Sequence, residues 1–243
     1  MKKVFWLLFP CVAVAALGWF LKSESEFFLV RETPIDIEFD QNQTPLVLSL
    51  KKEIQTPLKA LKGQNIWSIP LRDLQEQLEA NPWIERVELQ RRFPDRIATS
   101  IEIAEVSFIY VDKKNRMYPV FQSGKRGPRV DINTVPLAPF VYQSELYEDE
   151  AKRNHLLKVL RDIPQMGLFQ SENLASVGFD SVRGFYIEFV DRRSKVYLGE
   201  KDIQTKALQV LRVSDYLKSQ KQKARVIDAS FTKKVLVRLR KGS

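Results

Sequence analysis

Few residues in this chain could carry covalent chemistry. There is one histidine, His155, and one cysteine, Cys11, among 243 residues. There is no second histidine to mark a zinc site or a base–nucleophile arrangement around His155. It directly precedes the apolar pair Leu156-Leu157 and reads as a helix-surface residue. A single cysteine excludes an intramolecular disulfide and a cysteine metal site. The chain has no G-x-S-x-G, no phosphate-binding glycine loop and no H-E-x-x-H. Glu145, Glu148, Asp149 and Glu150 cluster near a helix start, where negative charge complements the dipole and solvates the turn. Carboxylates acting on glycans need no fixed spacing in sequence, but nothing marks a pair of them here. No catalytic residue, metal, cofactor or small-molecule substrate is assigned. The inventory points to binding rather than catalysis.

At 44% hydrophobic and 28% charged residues, the chain has the balance of folded protein. Its formal charge is +9, from 39 Lys and Arg against 30 Asp and Glu. The excess lies toward the C-terminus: between Lys218 and Lys241 stand nine basic residues and one acid, Asp228. Such a patch suits nucleic acid, anionic lipid or an acidic protein, and charge alone does not choose among them.

The N-terminus narrows the choice. Met1-Lys2-Lys3 precedes Val4–Leu21, eighteen residues without a charge. As a helix this run is roughly 27 Å long, against a hydrocarbon core of about 30 Å. Trp6 and Trp19 fall near its ends, where indoles favour the interface. The two lysines place the N-terminus in the cytoplasm and the rest of the chain outside. A cleaved signal peptide is the rival, with Ala13-Val14-Ala15 as its cleavage site. Cutting there would leave Leu17, Trp19, Phe20 and Leu21 on the mature end, so the anchor is preferred. A chain facing away from the cytoplasm is not expected to bind nucleic acid.

After the polar stretch Lys22–Glu26, Ile35–Phe39 alternates as a strand. Leu46–Leu61 has helical spacing, with Pro57 expected to break it in two and Gly63 to end it. Ser68 is the expected N-cap of a helix over Leu71–Ala80, which Asn81-Pro82 stops. Trp83–Gln90 and Arg96–Ile103 read as a hairpin turned at Pro94-Asp95. Trp83 and Trp67 are expected in the core, and Arg91 and Arg92 in a solvated turn. Further on, extended segments are predicted over Val106–Val111, Arg116–Phe121, Ser176–Phe179, Phe185–Val190, Lys195–Leu198 and Val235–Leu239. Helices are predicted over Glu148–Ile163 and Ile203–Leu217, a loop over Gln122–Pro139, and a turn at Gly199. Outside the membrane the fold class is α+β, in two units.

Gly63-Gln64-Asn65-Ile66-Trp67, then Asn81-Pro82-Trp83-Ile84, then Arg91-Arg92-Phe93-Pro94-Asp95, together resemble a POTRA domain. More narrowly, the stretch is similar to the POTRA domain of the FtsQ/DivIB family of bacterial cell-division proteins. Val196-Tyr197-Leu198-Gly199, Lys206, and Ile227-Asp228-Ala229-Ser230-Phe231 resemble that family's β domain. The chain departs from the family pattern in its short stretch before the apolar run. It also has Glu105-Val106-Ser107 where Arg and Pro are common.

The resemblance implies residues 1–3 as a cytoplasmic tail and 4–21 as a transmembrane helix. It implies a β-α-α-β-β POTRA domain over 27–103, and over 104–240 a mainly antiparallel β domain with flanking helices. It further implies an inner-membrane, single-pass divisome scaffold at the septum, with its bulk in the periplasm, that binds the FtsB–FtsL pair and other divisome membrane proteins. The partner segment would extend the last strand, Lys234–Arg240, by backbone pairing. The residues implied in that contact are Arg183, Phe231, Lys234, Val235, Leu236, Val237 and Arg238. A periplasmic POTRA-type chaperone or secretion component is the alternative, but it needs a C-terminal barrel or repeated POTRA units.

Overall fold

The computed structural model describes residues 27–38, 44–131, 137–190 and 194–240. The apolar run 4–21 lies outside them, and among the described residues no helix is long and apolar enough to cross a membrane. The chain divides between Ala104 and Glu105 into two compact units.

The first unit holds β1 (Ile35–Glu38), α1 (Thr44–Lys59), α2 (Leu71–Glu79), β2 (Ile84–Arg92) and β3 (Arg96–Ile103). Its sheet order is β1-β3-β2, with β1 parallel and β2 antiparallel to β3. Along β3, Ile97, Thr99, Ile101 and Ile103 are buried at alternate positions, the period of a strand with one face covered. Ile54 and Leu58 of α1, with Leu74 and Leu78 of α2, complete the core. Trp83 is 8% exposed, with its amide held by Asn81 Oδ1 at 3.1 Å.

Several local expectations for this unit fail for identifiable reasons. Pro57 does not break the helix: α1 runs unbroken to Lys59, and the missing amide costs the one ladder bond to Glu53 O. Ser68 does not cap α2, because its hydroxyl donates to Asn65 O at 2.8 Å while Pro70 holds the cap position. Trp67 is 62% exposed rather than core. Ile66 and Ile69, 0% and 1% exposed, take the inward positions of that turn and leave the indole outside. Arg91 and Arg92 lie in β2, not in a turn. The Arg91 guanidinium donates to Ile66 O at 2.9 Å and Ile69 O at 2.7 Å, fastening the same loop. Gly63, at φ 81°, follows the helix as expected and donates its amide to Val30 O at 2.9 Å.

The second unit has strands β4 (Val106–Val111), β5 (Met117–Phe121), β6 (Phe140–Val141), β7 (Leu174–Asp180), β8 (Gly184–Phe189), β9 (Lys195–Gly199), β10 (Ala224–Asp228) and β11 (Leu236–Leu239). Its helices are α3 (Ser144–Glu148), α4 (Glu150–Asp162) and α5 (Ile203–Ser219). One eight-stranded sheet runs in the order β11-β10-β9-β8-β7-β6-β4-β5. Among the described residues, four of its seven pairings are antiparallel, as expected, and the shorter β10–β9, β7–β6 and β6–β4 pairings are parallel. The parallel pairs arise where a helix or long loop carries the chain back to the same end of the sheet.

The helix expected over 148–163 is α4, which begins two residues later at Glu150, and the short α3 precedes it. Asp149 adopts an extended conformation between them and caps α4, accepting from Lys152 N at 3.1 Å. The core joins Leu156 of α4 and Ala207 and Val210 of α5 to Phe185, Ile187, Val196, Leu198 and Ile227 of the sheet. Removing each large side chain from water contributes about 1.5–3 kcal/mol. His155 is half-buried, edge-on to Phe185 with centroids 5.0 Å apart and a ring nitrogen 3.2 Å from Glu200 O. It is a packing residue between α4 and the turn after β9.

Candidate partner-binding edge

The sheet of the second unit ends in β11. That strand pairs antiparallel with β10 only, through Ile227↔Val237 and Asp228↔Leu236, and its other edge has no neighbouring strand in the sheet order. All four of its residues are exposed. Leu236 is 46%, Val237 37% and Leu239 42% accessible, so β11 is an apolar strand lacking cover on both faces. Cross-strand partners share a face. Val237 therefore stands on the helix side with buried Ile227, and Leu236 on the opposite side with Asp228.

Backbone direction follows from the next residue. The Arg240 amide donates to Lys223 O at 2.9 Å, back toward β10. Because strand geometry has a period of two, the amides of Val237 and Leu239 then point away from the sheet. A β-bulge between Ala224 and Val226 interrupts β10 rather than β11, so the outer strand keeps its regular alternation.

The approach to β11 is fixed by a polar corner. Asp228, 6% exposed, accepts from Ser230 N at 3.0 Å and from Ser230 Oγ at 2.6 Å. Its second oxygen faces Arg183 Nε at 3.6 Å. The Arg183 guanidinium in turn lies 4.8 Å from the centre of the Tyr197 ring. Lys206 of α5 reaches across to donate to Ser230 O at 3.2 Å. Gly199 is needed here because its φ of 81° is a backbone conformation that other residues rarely adopt. At the turn between β7 and β8, Asp180 Oδ1 accepts from the amides of Val182 and Arg183, both at 2.9 Å. These bonds hold its carboxyl below the usual carboxylate range.

The seven residues singled out in sequence are not one cluster. Leu236, Val237 and Arg238 are in β11, whereas Lys234 and Val235 precede it, because the strand begins two residues later than expected. Val235 is half-buried and packs on the core. Phe231 is 42% exposed, with the Lys234 ammonium 5.2 Å from its ring centre. Arg183 is tied to Asp228 and Tyr197 rather than to β11. Sequence reasoning missed β10, Tyr197 and the anchoring role of Asp228. The signal available was a lone acid in a basic stretch.

Beside this edge a cleft of about 480 Å³ opens between the end of α5 and β10. Val196, Leu217 and Ile227 form its apolar floor, and Lys218, Lys221 and Lys223 are at its rim. The whole edge is therefore apolar in its strand and cationic in its surroundings, which suits an extended acidic segment.

Residues 49–105 match the family described as POTRA domain, FtsQ-type. The chain is 24% identical over 241 residues to the Cell division protein FtsQ of Geobacter sp. (strain M21), covering 94% of this chain and 83% of that protein. It is 24% identical over 242 residues to the Cell division protein FtsQ of Syntrophotalea carbinolica, covering 95% and 81%. Against the Cell division protein FtsQ of Myxococcus fulvus it is 26% identical over 159 residues, 63% of this chain and 55% of the relative. The chain thus carries an FtsQ-type POTRA domain, and its likeness to proteins named Cell division protein FtsQ extends over most of its length.

Proposed function

We propose that this chain performs the FtsQ role in bacterial cell division, as a scaffold that binds other division proteins and not as a catalyst. Residues 4–21 span the inner membrane from a cytoplasmic tail of residues 1–3. Residues 27–103 form the POTRA domain and 104–240 the partner-binding β domain, both in the periplasm at the septum. The partner is the FtsB–FtsL pair, and an FtsB segment adds to β11 as a further strand. The observation that carries this reading is the position of β11: last in the sheet order, with all four residues exposed. Strand addition gives a partner backbone bonds for affinity and alternate side chains for specificity. The cationic surroundings favour an acidic segment and speed its encounter, with a dependence on salt. Affinity isolation from membranes, with and without the residues after Ser230, tests it. FtsB should be recovered with the full chain and lost with the truncated one; equal recovery would place the contact elsewhere.

A further inference from the structure

The first unit carries an exposed aromatic surface that neither its core nor the β11 edge uses. Phe27, Trp67 and Phe93 are 56%, 62% and 52% exposed. Their rings form a chain with Phe28: Phe27 to Phe28 at 5.4 Å, Phe28 to Trp67 at 6.3 Å, and Trp67 stacked on Phe93 at 4.5 Å. Leaving this much aromatic surface in water is unfavourable unless something covers it.

The surface is also held in place. Ile66 N donates to Phe28 O at 2.9 Å, Val30 N to Gln64 O at 2.9 Å, and Arg31 N to Asp95 O at 2.9 Å. Three separate segments are thereby laced together at their backbones, and Arg91 pins the Trp67 loop from beneath through Ile66 O and Ile69 O. The patch is built, not a chance meeting of loose side chains.

Its position in the chain indicates what covers it. Leu21 ends the uncharged run, and Phe27 is six peptide steps later. Six steps reach at most about 22 Å even when fully extended. If residues 4–21 cross the bilayer, the patch is tethered within that distance of the lipid surface. We propose that Phe27, Trp67 and Phe93 form a membrane-docking surface that inserts its rings into the lipid headgroup region. The inference rests on the membrane-anchor reading above. Trp67, with an apolar ring and an indole N–H, partitions to that interface, and Phe27 and Phe93 add apolar surface beside it. Docking would fix the orientation of the first unit on the bilayer, which a six-step tether alone leaves free.

The test uses the full chain in lipid nanodiscs, with Trp6→Phe and Trp19→Phe so that only Trp67 and the buried Trp83 emit. Lipid brominated near the headgroup end of its acyl chains is the quencher. Docking predicts that the emission lost on adding Trp67→Phe to this background is quenched about twofold or more by brominated lipid, and is shielded from aqueous iodide. Equal Trp67 emission in plain and brominated lipid, with free quenching by iodide, overturns the proposal. Shielding from iodide without bromolipid quenching also overturns it, because protein and not lipid then covers the patch. Carbonate extraction separates the two readings. If carbonate strips the chain from membranes, the anchor and the docking both fail. If the chain stays and Trp67 is not quenched, only the docking fails.

Discussion

Val237 is 37% exposed, yet it pairs across the sheet with Ile227, which is 3% exposed. One step from β10 to β11 thus carries the sheet from core to surface. The core has ended at β10, and β11 gains little from folding beyond its own ladder bonds.

That imbalance sets the first prediction. Proline at Val237 removes an outward-pointing donor and obstructs any strand added beyond it, while the inward bonds to β10 remain. Val237→Pro is expected to reduce FtsB co-purification to under about a tenth of wild type and to block septation. Phe231→Ala should weaken the same interaction less. Thermal melting of the isolated part after residue 26 is the control. Wild-type partner recovery by both variants, each folded, would rule out strand addition at β11.

The two tryptophans of the first unit should behave in opposite ways. Trp83→Ala opens a cavity in a packed core and should cost roughly 3–5 kcal/mol in urea unfolding of the isolated outer part. Trp67→Ala removes a ring stacked on Phe93 in solvent, and should cost only about 0.5–1.5 kcal/mol. Similar costs for both would contradict the burial of Trp83 and the exposure of Trp67.

Arg91 should be a stability residue. Its side chain satisfies the carbonyls of Ile66 and Ile69, and Arg91→Met would leave both without that donor. A loss of about 1.5–3 kcal/mol is expected, with Arg91→Lys intermediate because one ammonium cannot reproduce the fork. The same unfolding measurement decides it.

Acid should expose the Asp180 turn. Bonds from the amides of Val182 and Arg183 hold the Asp180 carboxyl below its ordinary range. The unfolded chain then binds a proton at higher pH than the folded one, so stability is full above the unfolded value near pH 4 and falls as pH drops through the folded value. Asp112, held low by the Arg116 amide and side chain, adds to the same acid-side loss. Asp180→Asn should flatten part of the melting-temperature decline below about pH 4 without shifting the profile near neutrality. An unchanged acid limb in this variant would remove Asp180 from that account.

Topology is open to direct measurement. A periplasm-active reporter fused after Lys241 should be functional, and the protein should resist carbonate extraction. A soluble mature form beginning near Ala16 would replace the anchor with a cleaved signal.

Much of the scaffold could be read along the chain, because strand alternation and helix spacing are local. The hairpin of β2 and β3, the stop before Trp83 and the apolar stripe of α5 all follow from side chains a few residues apart. What the chain could not reveal depended on distant neighbours. Ile66-Trp67-Ser68-Ile69 does not say which of its three apolar residues turns outward. That was decided when Arg91, distant in sequence, fastened the carbonyls of both isoleucines. Asp228 looked like a lone acid in a basic stretch until the fold set Arg183 and Ser230 beside it. Val235-Leu236-Val237-Arg238-Leu239 has the alternation of a strand with a buried face, and nothing in it announces an edge. Only the parallel placement of β10 beside β9, after α5, left β11 with a partner on one side and four exposed residues. Periodicity reports the geometry of an element, whereas its exposure depends on how many neighbours the rest of the chain supplies.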